Sequence, residues 1–252
     1  MGEKLGRRTL VEWLGQGAVL ALGAPLFKAC AAAGPVTGQD AGALIADAGS
    51  PVLTDGGVPS GFQFQPGDGA QAIFDGWGER TVDPQSLTAL LASWTLTIDG
   101  LVESPKTFRF LDLAALRRTD QVTDFHCVEG WSIYDVPWNG VPLSSLLDLA
   151  RPASAATHVT FHTVNDLYNE SLPLSVAREA RTLLAYGIGG ATLPLRHGFP
   201  ARVVVPRLLG YKNAKFVYRV ELSDHSIEGY WVQAGYPYAG EVPASRLRPG
   251  HY

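Results

Sequence analysis

Hydrophobic and polar residues alternate from Trp94 to Val102 (WTLTIDGLV), and this period of two in a stretch rich in β-formers predicts a strand. Gly100 and the Ser104-Pro105 pair punctuate its end. Leu111, Leu113 and Leu116 are spaced for one apolar stripe, which predicts a short helix over Phe110 to Arg118. Asp120 to His126 predicts a strand that delivers Cys127 at its end. Leu143 to Leu149 predicts a helix, and His158 to Val164 (HVTFHTV) another alternating strand. Ala201 to Val205 is apolar enough for a central strand, with Phe216 to Leu222 expected beside it. Short strands mixed with short helices imply an α+β body.

The first 70 residues follow a different pattern. Residues 1–33 read as a targeting segment: Lys4, Arg7 and Arg8 precede a mostly apolar run from Trp13 to Phe27, and small residues follow from Ala29 to Gly34. Arg7-Arg8-Thr9-Leu10-Val11 is similar to a twin-arginine signal, the address of proteins exported already folded. The apolar run is short for a transmembrane helix. Cleavage near Ala31 or Ala33 is the favoured reading, and lipidation of Cys30 is the alternative. Residues 34–70 are rich in Gly, Ala, Asp, Pro and Ser and read as a flexible linker. The third segment, 71–252, is the folded domain.

Composition narrows the function classes. With 46% hydrophobic residues in 252, the chain can bury a sizeable core. Charged residues make up only 17%, the net charge is -4, and no basic stripe appears, which argues against nucleic acid as a partner. The 28 glycines and 17 prolines favour a turn-rich, strand-rich body over a helical bundle.

Cys127 is the one cysteine inside the expected fold. A lone buried cysteine behaves as a small hydrophobe and is usually inert. As a thiolate it attacks carbon or binds metal. A Cys-nucleophile hydrolase would need a histidine poised as base, and His126, adjacent on a strand, points to the opposite face. His126, His158 and His162 lack the paired spacing of zinc sites and read as structural or hydrogen-bonding groups.

The string His126-Cys127-Val128-Glu129-Gly130-Trp131-Ser132, followed by Pro137-Trp138-Asn139-Gly140-Val141-Pro142-Leu143, resembles the molybdenum ligand loop of the sulfite oxidase superfamily of molybdopterin enzymes. The resemblance implies an α+β sulfite oxidase-type fold with mixed sheets, a molybdopterin cofactor, and Cys127 as the sulfur ligand to molybdenum. A second segment, Leu193 to Leu222 (LPLRHGFPARVVVPRLLGYKNAKFVYRVEL), is similar to the family's cofactor-binding segments. It implies His197 and Arg202 as phosphate or pterin contacts, and Asn213, Ala214 and Lys215 as a loop that wraps the cofactor. Arginine gives bidentate contact to phosphate, and amides of a Gly-containing loop add donors. Without the resemblance, Arg202, Lys212 and Lys215 read as solvated charges. His197 stands where the sulfite oxidase branch has His and the methionine sulfoxide reductase branch has Asn.

Further positions follow from the same resemblance. Thr163 takes the place of a residue that contacts the cofactor, against the alternative of a strand Thr satisfied by backbone. Tyr168, in Asp166 to Leu174, lies in the loop beside the metal and would face substrate, or is a surface tyrosine. Phe74 and Asp75 stand where the exported methionine sulfoxide reductase branch has an aromatic-acidic pair contacting the pterin, or are a packing aromatic and a turn aspartate. His225 to Tyr236 is similar to the aromatic close of the shared catalytic domain.

The activity implied is molybdenum-dependent oxidoreduction by oxo transfer on a small sulfur-containing molecule, sulfite or a sulfoxide. No Cys-x-x-Cys-His occurs, so no c-type haem is expected and electrons pass through a separate redox partner, a cytochrome or a membrane haem or quinone protein. The family's immunoglobulin-like dimerisation domain does not follow residue 252, so a monomer is expected. An exported binding or scaffold protein that keeps the fold without catalysis is the second reading. Cys127 speaks against it, since a pure binder has no need of a thiolate.

Overall fold

A computed structural model describes residues 93–166 and 168–252. The targeting segment 1–33, the linker 34–70 and the pair Phe74 and Asp75 lie outside the described residues.

Among the described residues, ten strands form two sheets. The first contains β1 (Thr95–Gly100), β2 (Lys106–Arg109), β5 (His158–Thr163), β6 (Glu170–Pro173) and β10 (Val217–Ser223), in the order β2-β1-β10-β5-β6. The β1–β10 pair is parallel and its neighbours are antiparallel. The second contains β3 (Thr119–His126), β4 (Ser132–Pro142), β7 (Leu183–Ile188) and β8 (Ala191–Thr192), with β9 (Arg202–Val204) also paired to β7. Alternation in β1 sends Leu96 and Ile98 inward, both fully buried, as a half-covered strand requires. The β7 strand has no exposed face: all six residues are buried among its three partner strands, β4, β8 and β9, and the core. One continuous apolar cluster joins Leu96, Phe161 and Val220 of the first sheet to Trp138, Leu184 and Val203 of the second.

The helices are short. Helix α1 (Phe110–Ala114) stops well before Arg118, because the chain must turn and enter β3 at Thr119. Its first turn is closed by the Arg109 N–H donating to Asp112. Helix α2 (Leu143–Ala150) buries Leu143, Leu146, Leu147 and Ala150, the i, i+3, i+4, i+7 stripe of a core-facing helix. Helix α3 (Leu174–Ala177) and α4 (Tyr230–Gln233) are single turns. No helix among the described residues is long and apolar enough to cross a membrane.

One expected pairing is corrected. The strand after Phe216 does not lie beside Ala201 to Val205 along its length; β10 pairs with β1 and β5 in the other sheet. The stretches touch at their starts through Val217 N–H to Ala201 O, and just upstream Val203 N–H donates to Ala214 O and Arg202 forms a backbone bridge with Lys215. Phe216 adopts a left-handed backbone (φ 60°), which turns the chain out of one sheet and into the other.

Gly140 marks a close approach of β4 to β7. A Cβ there would lie 2.4 Å from Leu184 O and 2.7 Å from Ala185 Cα, both immobile backbone. Gly140→Ala therefore forces β4 away from β7 and is expected to destabilise the fold by about 1–3 kcal/mol, the usual cost of overpacking. Denaturant unfolding of the two proteins checks this, and an unchanged midpoint would contradict it.

Candidate functional site

Cys127 opens a five-residue hairpin loop. The β3–β4 pairing runs from Thr119 opposite Gly140 to His126 opposite Ser132, so residues 127–131 are all that connect the strands. The loop closes through the Cys127 N–H donating to Trp131 O at 2.9 Å and the Gly130 N–H to Cys127 O at 3.2 Å. Gly130 sits at φ 101°, a conformation that favours glycine. Cys127 is half-buried, and its thiol lies 3.8 Å from Glu129 Oε2.

Against the strands of this hairpin lies a cationic cluster centred on the buried Arg202. Arg202, on β9, is 2% exposed. Its guanidinium carbon lies 5.4 Å from the centre of the Phe125 ring and 5.1 Å from that of Trp138, aromatics from the two strands of the cysteine hairpin. It donates to the carbonyls of His197 (3.2 Å) and Asn213 (3.4 Å). Lys215 Nζ donates to Arg196 O at 3.0 Å, and the backbones of Arg202 and Lys215 form a bridge. Burial pulls the Arg202 pKa down to about 9, so it stays charged at neutral pH. Burial, then the charges of Lys215, Arg202 and Arg196, pull His197 down to about 2, so its ring is neutral.

Among the described residues, Asn213 and Ala214 adjoin this cluster, and Thr163 and Tyr168 lie on β5 and the loop after it. Ala214 is buried and its carbonyl accepts from Val203 N–H, which holds the 213–215 loop against β9. Asn213 is committed to the loop's own shape: its Oδ1 accepts from Val205 N–H at 2.6 Å, and its Nδ2 donates to Leu208 O and Leu209 O. Thr163 is buried at the end of β5 opposite Val217, and its N–H donates to Asn169 Oδ1. Tyr168 donates its hydroxyl to Tyr211 O and stacks on Tyr230 at 5.8 Å. Burial, then the charge of Glu170, holds the Tyr168 hydroxyl well above its ordinary pKa.

The three strand histidines are hydrogen-bonded as expected: His126 to Ser132, His158 to Thr157 and His162 to Glu221. Lys212, read from sequence as a solvated charge unless part of a cofactor segment, is fully buried. It is paired with Glu170 at 2.6 Å, donates to Ser171 O, and lies 4.3 Å from the Tyr238 ring. The C-terminal segment carries residues the sequence reading missed. Arg246 donates to Cys127 O, Trp131 O and Ser132 Oγ. Arg248 bridges Asp124 and Asp135. Burial alone would raise the Asp124 carboxyl, but the Arg248 hydrogen bond, the Asp135 N–H and the nearby positive charge hold it below the ordinary range. Asp124, Asp135 and His251 offer metal-ligand atoms within 4.8 Å of one another, yet Arg248 already supplies the positive charge there. Arginines in a charge-poor tail, paired with two aspartates flanking the cysteine, were the available signal.

These residues suit an anionic, phosphate-bearing group. The buried guanidinium, the Lys215 ammonium and the neutral His197 ring form a donor set with net positive charge, whose desolvation an anion would offset. A thiol stands at the adjoining strand end, and a soft thiolate suits a transition metal.

Comparison with known proteins agrees. Residues 83–231, more than half the chain, match the family model of the oxidoreductase molybdopterin-binding domain. A putative protein-methionine-sulfoxide reductase subunit of Azospira oryzae is 37% identical over 149 residues, 59% of this chain and 56% of that protein. The protein-methionine-sulfoxide reductase catalytic subunit of Gluconobacter oxydans is 37% identical over 176 residues, 62% of this chain and 55% of that protein. An uncharacterized oxidoreductase of Bacillus subtilis is 33% identical over 151 residues, 60% of this chain and 76% of that protein. The chain thus spans just over half the length of the first two relatives. Among solved structures, the sulfane dehydrogenase SoxCD of Paracoccus pantotrophus superposes with a TM-score of 0.50 at 26% identity, covering 60% of this chain and 41% of that one. The cysteine hairpin and the cationic cradle together belong to a member of the molybdopterin-binding oxidoreductase family, within the sulfite oxidase superfamily.

Proposed function

We propose that this protein is an exported molybdopterin-dependent oxidoreductase that moves an oxo group to or from a small sulfur-containing substrate, sulfite or a sulfoxide. The observation that carries the reading is the adjacency of the Cys127 hairpin and the Arg202 cluster, joined through Phe125 and Trp138. When bound, molybdopterin supplies a metal centre that exchanges electron pairs with its substrate. The chain's own residues do the holding. Cys127 supplies the sulfur ligand, and Arg202 and Lys215 supply positive charge and donors for the phosphate. The neutral His197 offers ring nitrogens to the pterin or phosphate without adding a charge. Asn213 shapes the wrapping loop through its side chain, which leaves contact with the cofactor to the backbone around Ala214. Thr163 would offer a hydroxyl to the cofactor, and Tyr168 would border the substrate side. Phe74 and Asp75 would complete the pterin contacts from upstream.

The two relatives named for methionine sulfoxide reduction favour a sulfoxide, whereas His197 is the residue of the sulfite-oxidising branch, so the substrate is proposed only as a class. Export by the twin-arginine route follows from Arg7 and Arg8, because a protein carrying an inserted cofactor must fold before it crosses. Electrons pass to or from a separate cytochrome or membrane haem or quinone protein.

Elemental analysis tests the metal centre. Protein from a molybdenum-replete host is expected to hold near-stoichiometric molybdenum, and Cys127→Ala to hold sharply less or to show an altered metal spectrum. Well-folded wild-type protein with neither molybdenum nor pterin would move the assignment to a non-catalytic binding protein.

Acid sensitivity tests the cradle. Between pH 6.5 and about 2 the unfolded chain takes up a proton on His197 that the native protein refuses. That contribution to stability is full above pH 6.5 and is lost as pH falls, at about 1.4 kcal/mol per pH unit. In cofactor-free protein, His197→Gln is therefore expected to flatten the fall in unfolding free energy below pH 6.5. An unchanged slope would contradict the buried neutral ring.

A further inference from the structure

The cysteine loop is restrained from within and from a distant segment. Within its five residues, two backbone hydrogen bonds fix its shape, Cys127 N–H to Trp131 O and Gly130 N–H to Cys127 O. A further set of hydrogen bonds to its backbone comes from one side chain far along the chain. Arg246 Nη1 donates to Cys127 O at 3.1 Å, and Nη2 donates to Trp131 O at 2.8 Å and to Ser132 Oγ at 2.9 Å. The guanidinium therefore ties the first residue of the loop to its last and to the first residue of the returning strand. Ser132 Oγ in turn lies 2.8 Å from His126 Nδ1, so the hold continues onto the residue preceding the cysteine.

Arg246 is itself fixed. It ends a short 3-10 turn, Ala244–Arg246, closed by its own N–H to Pro243 O. Two residues on, Arg248 is clamped to Asp124 and Asp135, and His251 O accepts from Asp124 N–H, where β3 is bulged. The segment thus docks along the cysteine hairpin with its arginine fork aimed at the loop mouth. A planar fork with rigidly spaced donors can span three acceptors; a lysine ammonium on a flexible stem holds them less well.

We infer that Arg246 is a positioning residue for Cys127: it fixes the loop backbone, and so the direction of the thiol, through the carbonyls on both sides of the loop. This rests on the reading of Cys127 as the metal's sulfur ligand. A ligand displaced by a fraction of an ångström changes the metal's geometry and spectrum, which lost fold stability alone would not do.

The test compares wild type with Arg246→Met and Arg246→Lys. In cofactor-free protein from a host that cannot make molybdopterin, alkylation of Cys127 by iodoacetamide is followed at fixed pH, the Cys127 peptide being read by mass spectrometry. Several-fold faster labelling is expected in Arg246→Met, with Arg246→Lys intermediate. In protein from a competent host, the spectroscopic signature of the bound molybdenum is expected to shift or broaden in Arg246→Met and to be partly restored in Arg246→Lys. If either readout is unchanged in folded Arg246→Met, the inference is overturned. Should that variant not fold, Arg246→Lys and Ser132→Ala, which removes one acceptor, carry the same comparison. Failure of the metal reading shows separately, as wild-type protein without molybdenum. The alkylation rates, measured without metal, then still decide whether Arg246 orders the thiol.

Discussion

A guanidinium held between two aromatic rings sets the terms for the rest of this molecule. Arg202 lies between Phe125 and Trp138, one ring from each strand of the β3–β4 hairpin, and is almost wholly removed from water. Burying a charge is expensive unless polar and anionic partners repay it. Part of the repayment comes from the carbonyls of His197 and Asn213 and from the two π-faces. Those contacts fix the spacing between β9, the 213–215 loop and the cysteine hairpin. Burial, reinforced by the charges of this cluster, keeps His197 neutral. Structure and chemistry here have one origin, since a cradle built to suit an anionic cofactor is costly to bury on its own.

Around that centre the fold uses buried pairs as fasteners. Lys212 and Glu170 join the start of β6 to the loop that follows β9, both nearly inaccessible, with Tyr238 lying over the ammonium. Burial pushes each of the two toward its neutral form, Glu170 up and Lys212 down, while their mutual attraction opposes this. Removing either partner would strand the other, a far larger penalty than the pair's net benefit. Next to it, Tyr168, Tyr230, Trp231, Tyr236 and Tyr211 touch in sequence with ring centres 5.3–5.8 Å apart. This aromatic wall packs the turn at Tyr230–Gln233 against the loop after β5 without a helix long enough to be stable alone.

Much of this was legible in the sequence, for identifiable reasons. Period-two alternation gave β1 and β5 nearly to the residue, and the Leu143 stripe gave α2, because one face of each is dry and the other is not. The cysteine loop was visible as an unusual string around Cys127. Pairing was less visible: β10 goes to the other sheet because of one left-handed residue, Phe216, and φ is not written in hydropathy. Lys212 was mistaken as long as its partner, 42 residues upstream, was unknown. Arg246 and Arg248 went unnoticed because their acceptors lie more than a hundred positions away, and several of them are backbone carbonyls that carry no residue identity.

That separation has a consequence for how the chain is made. A ribosome releases Cys127 119 residues before the arginine that braces its loop, and β1 long before the parallel partner that covers it. Contacts so distant in sequence close late in folding. During synthesis the cysteine hairpin can therefore exist while its mouth is still slack. The hairpin precedes its own latch, which waits for residues 244–251 to be made.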